Sequence, residues 1–417
     1  METRAIVAEY NPFHNGHAWQ VQQIRQEIGS KGCIIAIMSG DHVQRGGPAV
    51  LGKWGRTSLA LSGGVDLVLE LPAIYATQSA QYFADGAVRT IQATGICRDQ
   101  AAGASYPESD WYDLLPPILT EEPPAYKEAL QEALADGQGF AAARSLALSQ
   151  ILPDGEDRSD PDLQQFLRAS NDNLNLAYRT AALRYAPKLK LHRLPRVDGS
   201  ATAVRDALRS LPQTASGFSP TCILKQTAGL VPAETAAALA EAGREGLILL
   251  EDHAFPALAS MLRARSAEDL EQHPGMGEGM ARRLKNLVAA SGPASASLSG
   301  LLDEANSRRF PTSRVRRALF SALLGITRDD LDRAAAAGPQ YIRVLGFSKQ
   351  GRYALKLMRR LAKVPVVTKA SDFLEYSEFE HSILRRQAEL DLRSTDIRAF
   401  LCGKAGGSDF AESVIMS

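Results

Sequence analysis

Short apolar runs alternate with amphipathic stretches through the first half of the chain. Ala5 to Ala8, Cys33 to Met38 and Asp66 to Pro72 are apolar, bounded by turn residues and too short for helices. Such runs predict strands of a parallel sheet buried on both faces. A fourth strand should end near Ala101–Ser105, and a last one covers Lys188 to Pro195. Between them, Trp19 to Ile28, Leu51 to Ser62 and Ala76 to Thr94 read as helices, and another begins at Ser170. From Trp111 to Arg168, Pro-rich joints alternate with Ala/Leu/Glu helices without strands, the signature of a helical insertion. The sheet pattern ends around Phe218 to Lys225, and the remainder of the chain reads mainly as helix. The expectation is an α/β domain over residues 1–217 with a helical insertion at about 108–168. A mainly α-helical domain should occupy 218–417.

Length and composition narrow this picture little. A chain of 417 residues suggests two or three domains. Hydrophobic residues make up 45% and charged residues 23%, ordinary for a soluble protein with large cores. Lys+Arg and Asp+Glu both number 47, so any nucleic-acid surface must come from uneven distribution of charge. No apolar run approaches the ~20 residues of a membrane span, and the N-terminus enters a strand with no leader pattern. Cys33, Cys97, Cys222 and Cys402 show no metal spacing and fit a reducing cytoplasm.

The candidate chemistry begins where the first strand ends. Asn11 and Pro12 break the strand. His14 and His17 then stand three apart across Gly16, ahead of an amphipathic helix. A helix starting near Asn15 would aim its free N–H groups and positive dipole end at the loop. With both imidazoles donating to the same phosphate, this is an anion cradle suited to charge developing on phosphorus. The alternative is a pair of capping or surface histidines. After the second strand, Asp41–Pro48 is a polar loop at a strand's C-terminal end, where open α/β sheets bind ligands. In it, Arg45 could meet phosphate or carboxylate and Gln44 could hydrogen-bond a substrate. Gly199–Arg205 opens a further helix with Ser200 and Thr202. Its hydroxyls and N–H groups could hold outer phosphates, and Arg205 could stabilise leaving pyrophosphate. Capping alone is the plainer reading of Ser200.

His14-Asn15-Gly16-His17 after a first strand resembles the HxGH signature of the nucleotidyltransferase superfamily. The longer string Glu9 to His17 is similar to that of the bacterial tRNA(Met) cytidine acetate ligases. Further likenesses are Ser39-Gly40 with Gln44-Arg45-Gly46, Gly64 to Pro72, Asn171 to Tyr178, Ser313 to Arg317 and Arg343 to Phe347. The sequence departs from the family pattern at Asp41, Ala104, Ser170 and Asn175.

The resemblance implies a Rossmann-like nucleotidyltransferase domain in which acetate attacks ATP, with Mg²⁺, to give acetyl-adenylate and pyrophosphate. The wobble cytidine of elongator tRNA(Met) then becomes 4-acetylcytidine, and AMP leaves. Catalytic roles fall to His14, His17 and Arg205. ATP contacts fall to Val7, Ala8, Glu9, Tyr10, Asn11, Pro12, Phe13, His14, Asn15, Gly16, His17, Gln20, Gly103, Asn171, Arg193, Ser200 and Thr202. Arg196 competes with Arg193. Gln44 and Arg45 would meet the substrate. Basic stretches concentrated in the second half favour a nucleic-acid surface. Arg282, Arg283, Lys285, Arg314, Arg316, Arg317, Lys349 and Arg352 are its candidates. Two other readings stay open: a nucleotidyltransferase with a small phosphorylated acceptor, and a tRNA-binding protein with an inactive nucleotide site.

Overall fold

The computed structural model describes residues 1–152, 162–197, 199–214, 217–290, 297–375 and 382–417. Residues 153–161 of the expected insertion lie outside the described residues. The predicted strands form as β1 (Thr3–Ala8), β2 (Cys33–Ser39), β3 (Leu67–Leu71), β4 (Asp99–Ala104) and β5 (Lys190–Pro195). They pair in parallel in the order β3-β2-β1-β4-β5. The apolar runs follow from double burial. In β2, Cys33, Ile35 and Ile37 point into one core while Ile34, Ala36 and Met38 point into the other. Helices α1 (Asn15–Ile28) and α2 (Lys53–Ser62) follow β1 and β2. The stretch expected as one helix from Ala76 to Thr94 divides into Ala73–Ala76 and Ala80–Ala93.

The insertion is helical where described, and Trp111, Tyr112, Tyr126 and Phe166 pack with Leu176 of the helix Ser170–Tyr185. Gln213–Thr214 (β6) and Gly217–Phe218 (β7) form a small antiparallel pair. Helices between Phe255 and Leu324 then share a core of their own, including Leu258, Leu284, Leu301 and Leu319.

The expected boundary at 217/218 is not a boundary of the sheet. Ile342–Phe347 (β8) runs antiparallel beside β3, and both Val366–Val367 (β9) and Ile415–Met416 (β10) pair with β8. The second half thus supplies three strands to a sheet expected to end at β5. Basic neighbours disguise β8 in the sequence, because Arg343 lies inside it. That arginine is 1% exposed and sits 3.8 Å from Asp409. Lys53 of α2 joins the same buried group, with Nζ 3.0 Å from Glu70 and 2.9 Å from Asp409. A charge brought into the interior must be paired there, and these residues pair one another.

Candidate active site

A cleft of about 380 Å³ opens at the carboxyl ends of β1, β4 and β5. Strand order reverses between β1 and β4, the position where open α/β sheets bind ligands. Val7, Ala8, Glu9, Tyr10, Asn11, His14, Gly16, His17, Gln20, Gln44, Arg45, Gly103, Asn171, Ser200, Thr202 and Arg205 all line it. The candidates scattered along the first half of the chain therefore share one site.

The histidines are organised by the backbone of their own turn. His14 caps α1, and its Nδ1 accepts from Gly16 N at 3.1 Å. Nδ1 of His17 accepts from His14 N at 3.3 Å. The rings stack with centroids 3.7 Å apart. Burial, with Arg196 and Arg205 beside it, brings His14 down to about 4, and burial takes His17 well below the usual histidine range. Both rings are therefore neutral near pH 7. Because each Nδ1 accepts, each proton sits on Nε2. The pair presents two N–H donors without bringing two positive charges together.

This arrangement corrects the expectation that free N–H groups at the helix start form the cradle. Asn15 N donates to Leu230 O, Gly16 N to His14 Nδ1 and His17 N to His14 O. These donors are already used, so of the expected cradle only the imidazole Nε2–H groups remain open.

The second signature sits directly on the first. Gly199 holds φ +142°, and a Cβ there would lie 2.8 Å from Gly16 N and 3.1 Å from His14 Nδ1. Ser200 caps the helix Ala201–Arg209 by accepting from Thr202 N and Ala203 N. Its own hydroxyl proton stays free for a further acceptor. Arg205 donates to Asn11 O at 2.7 Å and to Thr202 Oγ1 at 3.0 Å, tying the two signatures together.

Around this centre the loops are fixed by buried polar groups. Arg56 donates to Leu51 O, Glu9 O, Ser39 O and Gly40 O, gathering the ends of β1 and β2. Asn11 Oδ1 accepts from Val50 N, and Glu9 Oε1 accepts from Gln44 N at 3.0 Å. Asp172 accepts from Ser105 N, Tyr106 N and the Tyr112 hydroxyl, shaping the exit from β4. Gly103 lies on β4 itself rather than in a turn, and a Cβ there would stand in open space.

Four expected nucleotide contacts fall elsewhere. Pro12 is outside the cleft lining, and Phe13 is 1% exposed, packed in the core beneath the turn. Asn15 turns its side chain to Gly229 O. Arg193 donates to Pro107 O and lies over the Tyr112 ring at 4.4 Å, so Arg196 is the arginine in the cleft. Strand alternation explains the swap, because a contact one or three residues away along an extended chain faces a different side. Asn175 and Tyr178, not expected as site residues, also line the cleft. They follow Asn171 by four and seven residues, a helical spacing that puts all three on one face. Asn175 donates to Gly103 O at 2.8 Å, which gives this family departure a role. Glu251 lines the cleft from far along the chain, and no local signal marks it.

The eight basic candidates divide. Arg314, Arg316 and Arg317 lie at the start of the helix Thr312–Leu324, which meets the cleft's outer loop. Gly46 packs so closely there that a Cβ would stand 3.1 Å from Arg317 Cα. Arg316 pairs with Glu251 at 3.2 Å. Arg282, Arg283 and Lys285 lie on Met280–Ala290. Arg282 pairs with Glu268, Arg283 donates to Glu304 O, and Lys285 caps the end of the helix Phe255–Ala264 through Leu262 O. Lys349 and Arg352 are exposed at the opposite edge of the sheet, because antiparallel β8 delivers the chain to the amino end of β3. They are not brought to the cleft.

Residues 1–409 match the model of the HIGH Nucleotidyl Transferase family. The chain is 31% identical to the tRNA(Met) cytidine acetate ligase of Acetivibrio thermocellus over the full length of both proteins. It is 34% identical to that of Caldanaerobacter subterraneus subsp. tengcongensis, covering 95% of this chain and 94% of the relative. The crystal structure of Thermotoga maritima TmcAL bound with alpha-thio ATP superposes with a TM-score of 0.88 at 31% identity, covering 100% of this chain and 99% of that one. Its apo form I gives 0.90 at 30% identity with the same coverage.

Proposed function

Since the chain belongs to the HIGH nucleotidyl transferase family, and within it to the tRNA(Met) cytidine acetate ligases, we propose that it activates acetate with ATP. It then passes the acetyl group to the exocyclic amine of the wobble cytidine in elongator tRNA(Met). Acetate oxygen attacks the α-phosphorus and pyrophosphate leaves. The cytidine amine next attacks the acetyl carbon and AMP leaves. Activation is needed because an oxide ion is a far poorer leaving group than AMP.

The observation that carries this reading is the contact between the two signatures, Gly199 against Gly16, with Arg205 spanning them. It sets the two Nε2–H donors and a guanidinium around one space. The imidazoles would hold the α-phosphate oxygens as charge builds in the transition state, where a fixed donor is worth roughly 10²–10³ in rate. Ser200, Thr202 and Arg205 would hold the β and γ phosphates. Among the described residues no three His, Cys, Asp or Glu side chains converge as a metal cage. Mg²⁺ would come bound to the triphosphate, its usual mode, and neutralise the outer phosphates. Gln44 and Arg45, at the mouth, would meet the acetate carboxylate. Arg45 with Arg314 and Arg317 would form the basic approach for tRNA. No helix among the described residues is long and apolar enough to cross a membrane, and a tRNA substrate would place the reaction in the cytoplasm.

The test is transfer of labelled acetate into tRNA with ATP and Mg²⁺, using wild type and His17→Ala. Label in acetylcytidine that vanishes in the variant is the expected result. Pyrophosphate release with a small phosphorylated acceptor and no label in RNA would replace this reading with a coenzyme-type transferase. Salt-sensitive tRNA binding without ATP turnover would make the nucleotide site inactive.

A further inference from the structure

Glu9 is a carboxylate in a site built for anions. It lines the cleft at the end of β1, between the histidine turn and Gln44. Oε1 accepts from Gln44 N at 3.0 Å. Oε2 has no hydrogen-bond partner among the described residues, and it is not sealed in the interior, so it opens onto the cleft. Nearby stand Arg205, Arg45 and Arg56. On the wall beside it is Tyr178, 2% exposed, whose hydroxyl makes no hydrogen bond among the described residues.

An ionised carboxylate only accepts hydrogen bonds, and so do phosphate oxygens and the acyl group of an acetyl-adenylate. Glu9 therefore does not complement the phosphates or the acyl oxygens; within the nucleotide only the ribose hydroxyls and the adenine amine could donate to it. Its complement is a group that carries N–H or O–H, and Glu9 serves as a base only where that group must lose a proton. The second half-reaction brings such a group, the exocyclic amine of the acceptor base.

We propose that Glu9 is the general base of the transfer step, an assignment that rests on the function proposed above. As the amine nitrogen bonds to the acetyl carbon, one N–H proton passes to Glu9 Oε2. The carbon–oxygen bond to the phosphate breaks, and AMP departs with that electron pair. The protonated Glu9 returns its proton to water after the products leave. Burial pushes the Glu9 pKa up against the pull of the arginines, toward the range in which a carboxylate takes a proton effectively.

The experiment separates the half-reactions. Acetate-dependent exchange of labelled pyrophosphate into ATP reads the first. Single-turnover transfer of label to tRNA reads the second. Glu9→Gln keeps a carbonyl oxygen for Gln44 N but cannot take the proton. We expect its transfer rate to fall on the order of 10²–10⁴-fold, at least a hundredfold more than its exchange rate. Glu9→Asp, which keeps a carboxylate, should recover transfer in part. Equal losses in both reactions would overturn the proposal and make Glu9 a residue that orders the arginines or the Mg²⁺–ATP. So would a Glu9→Gln variant with normal transfer. An absence of acetate-dependent exchange in the wild type would instead strike the proposed function.

Discussion

Gly199 and Gly16 lie in backbone contact across the mouth of the cleft, with the Cβ that Gly199 lacks falling 2.8 Å from Gly16 N. The two residues are separated by most of the catalytic sheet in sequence. Their contact fixes the distance between the imidazole donors and the Ser200–Arg205 turn. The two signatures thus already meet as one corner in the structure.

Gly199→Ala should therefore cost activity well beyond its size. The side chain would clash with backbone, and φ +142° is a conformation alanine adopts only under strain. Displacement of the corner by an ångström is worth ~10²-fold in rate. Acetate-dependent pyrophosphate exchange should fall by about that factor while circular dichroism stays that of the wild type. Exchange within threefold of wild type would show that the contact does not set the geometry.

Arg205→Lys should reduce exchange by about 10²-fold and raise the KM for ATP. Lysine keeps the charge but cannot donate at once to Asn11 O and Thr202 Oγ1 and still face a phosphate. Steady-state kinetics against ATP would read both effects.

The pH behaviour is set by buried neutral histidines. His14 and His42 are each brought down to about 4 from 6.5, chiefly by burial. Below pH 6.5 the unfolded chain takes up protons that the folded chain refuses until about pH 4. Stability should be flat with respect to these groups above 6.5 and fall through that window, by about 3 kcal/mol for each histidine. Urea unfolding at pH 7.0, 5.5 and 4.5 would check this. The exchange rate should likewise show no histidine inflection near pH 6.5, because the working form is the neutral one.

Arg45→Ala and Arg317→Ala should each weaken tRNA binding and lower its salt slope by about one. Lys349→Ala and Arg352→Ala should change neither, since those residues stand at the far edge of the sheet. Filter binding over a range of KCl would separate the two pairs. Equal effects from both would mean that tRNA wraps the sheet's other end.

Lys53→Met should destabilise the fold by roughly 3–5 kcal/mol, because it leaves Glu70 buried without its cation and Asp409 with Arg343 alone at 3.8 Å. A chemical melt would measure it. Deleting residues 408–417, which carry Asp409 and β10, should destabilise the protein for the related reason that Lys53 then loses a partner.

The parallel core, the histidine turn and the polar loop after β2 were legible along the chain because their signals are local. Continuous apolar runs, a Gly between histidines and a capped helix start all fall within windows of about ten residues. Even within those windows, side-chain direction was decided elsewhere. Arg193 and Arg196 are equivalent candidates on paper, and the pairing of β5 with β4 turns the first toward Tyr112.

Residue order alone marked the place of the candidate site, a corner at the end of a parallel sheet made from His14, His17 and the turn at Gly199. Packing of the whole chain settled which charges face that corner and which serve the interior. β8 reads as part of a basic, helical half, yet it adds an antiparallel strand to the sheet and buries Arg343 with Lys53, Glu70 and Asp409. The same antiparallel turn carries Lys349 and Arg352 away from the cleft, while the helix Thr312–Leu324 brings Arg317 against Gly46. The physical reason is range. Hydrophobic period and capping act over a few residues and are written in order, whereas pairing of distant strands and burial of opposite charges are settled only when the whole chain packs.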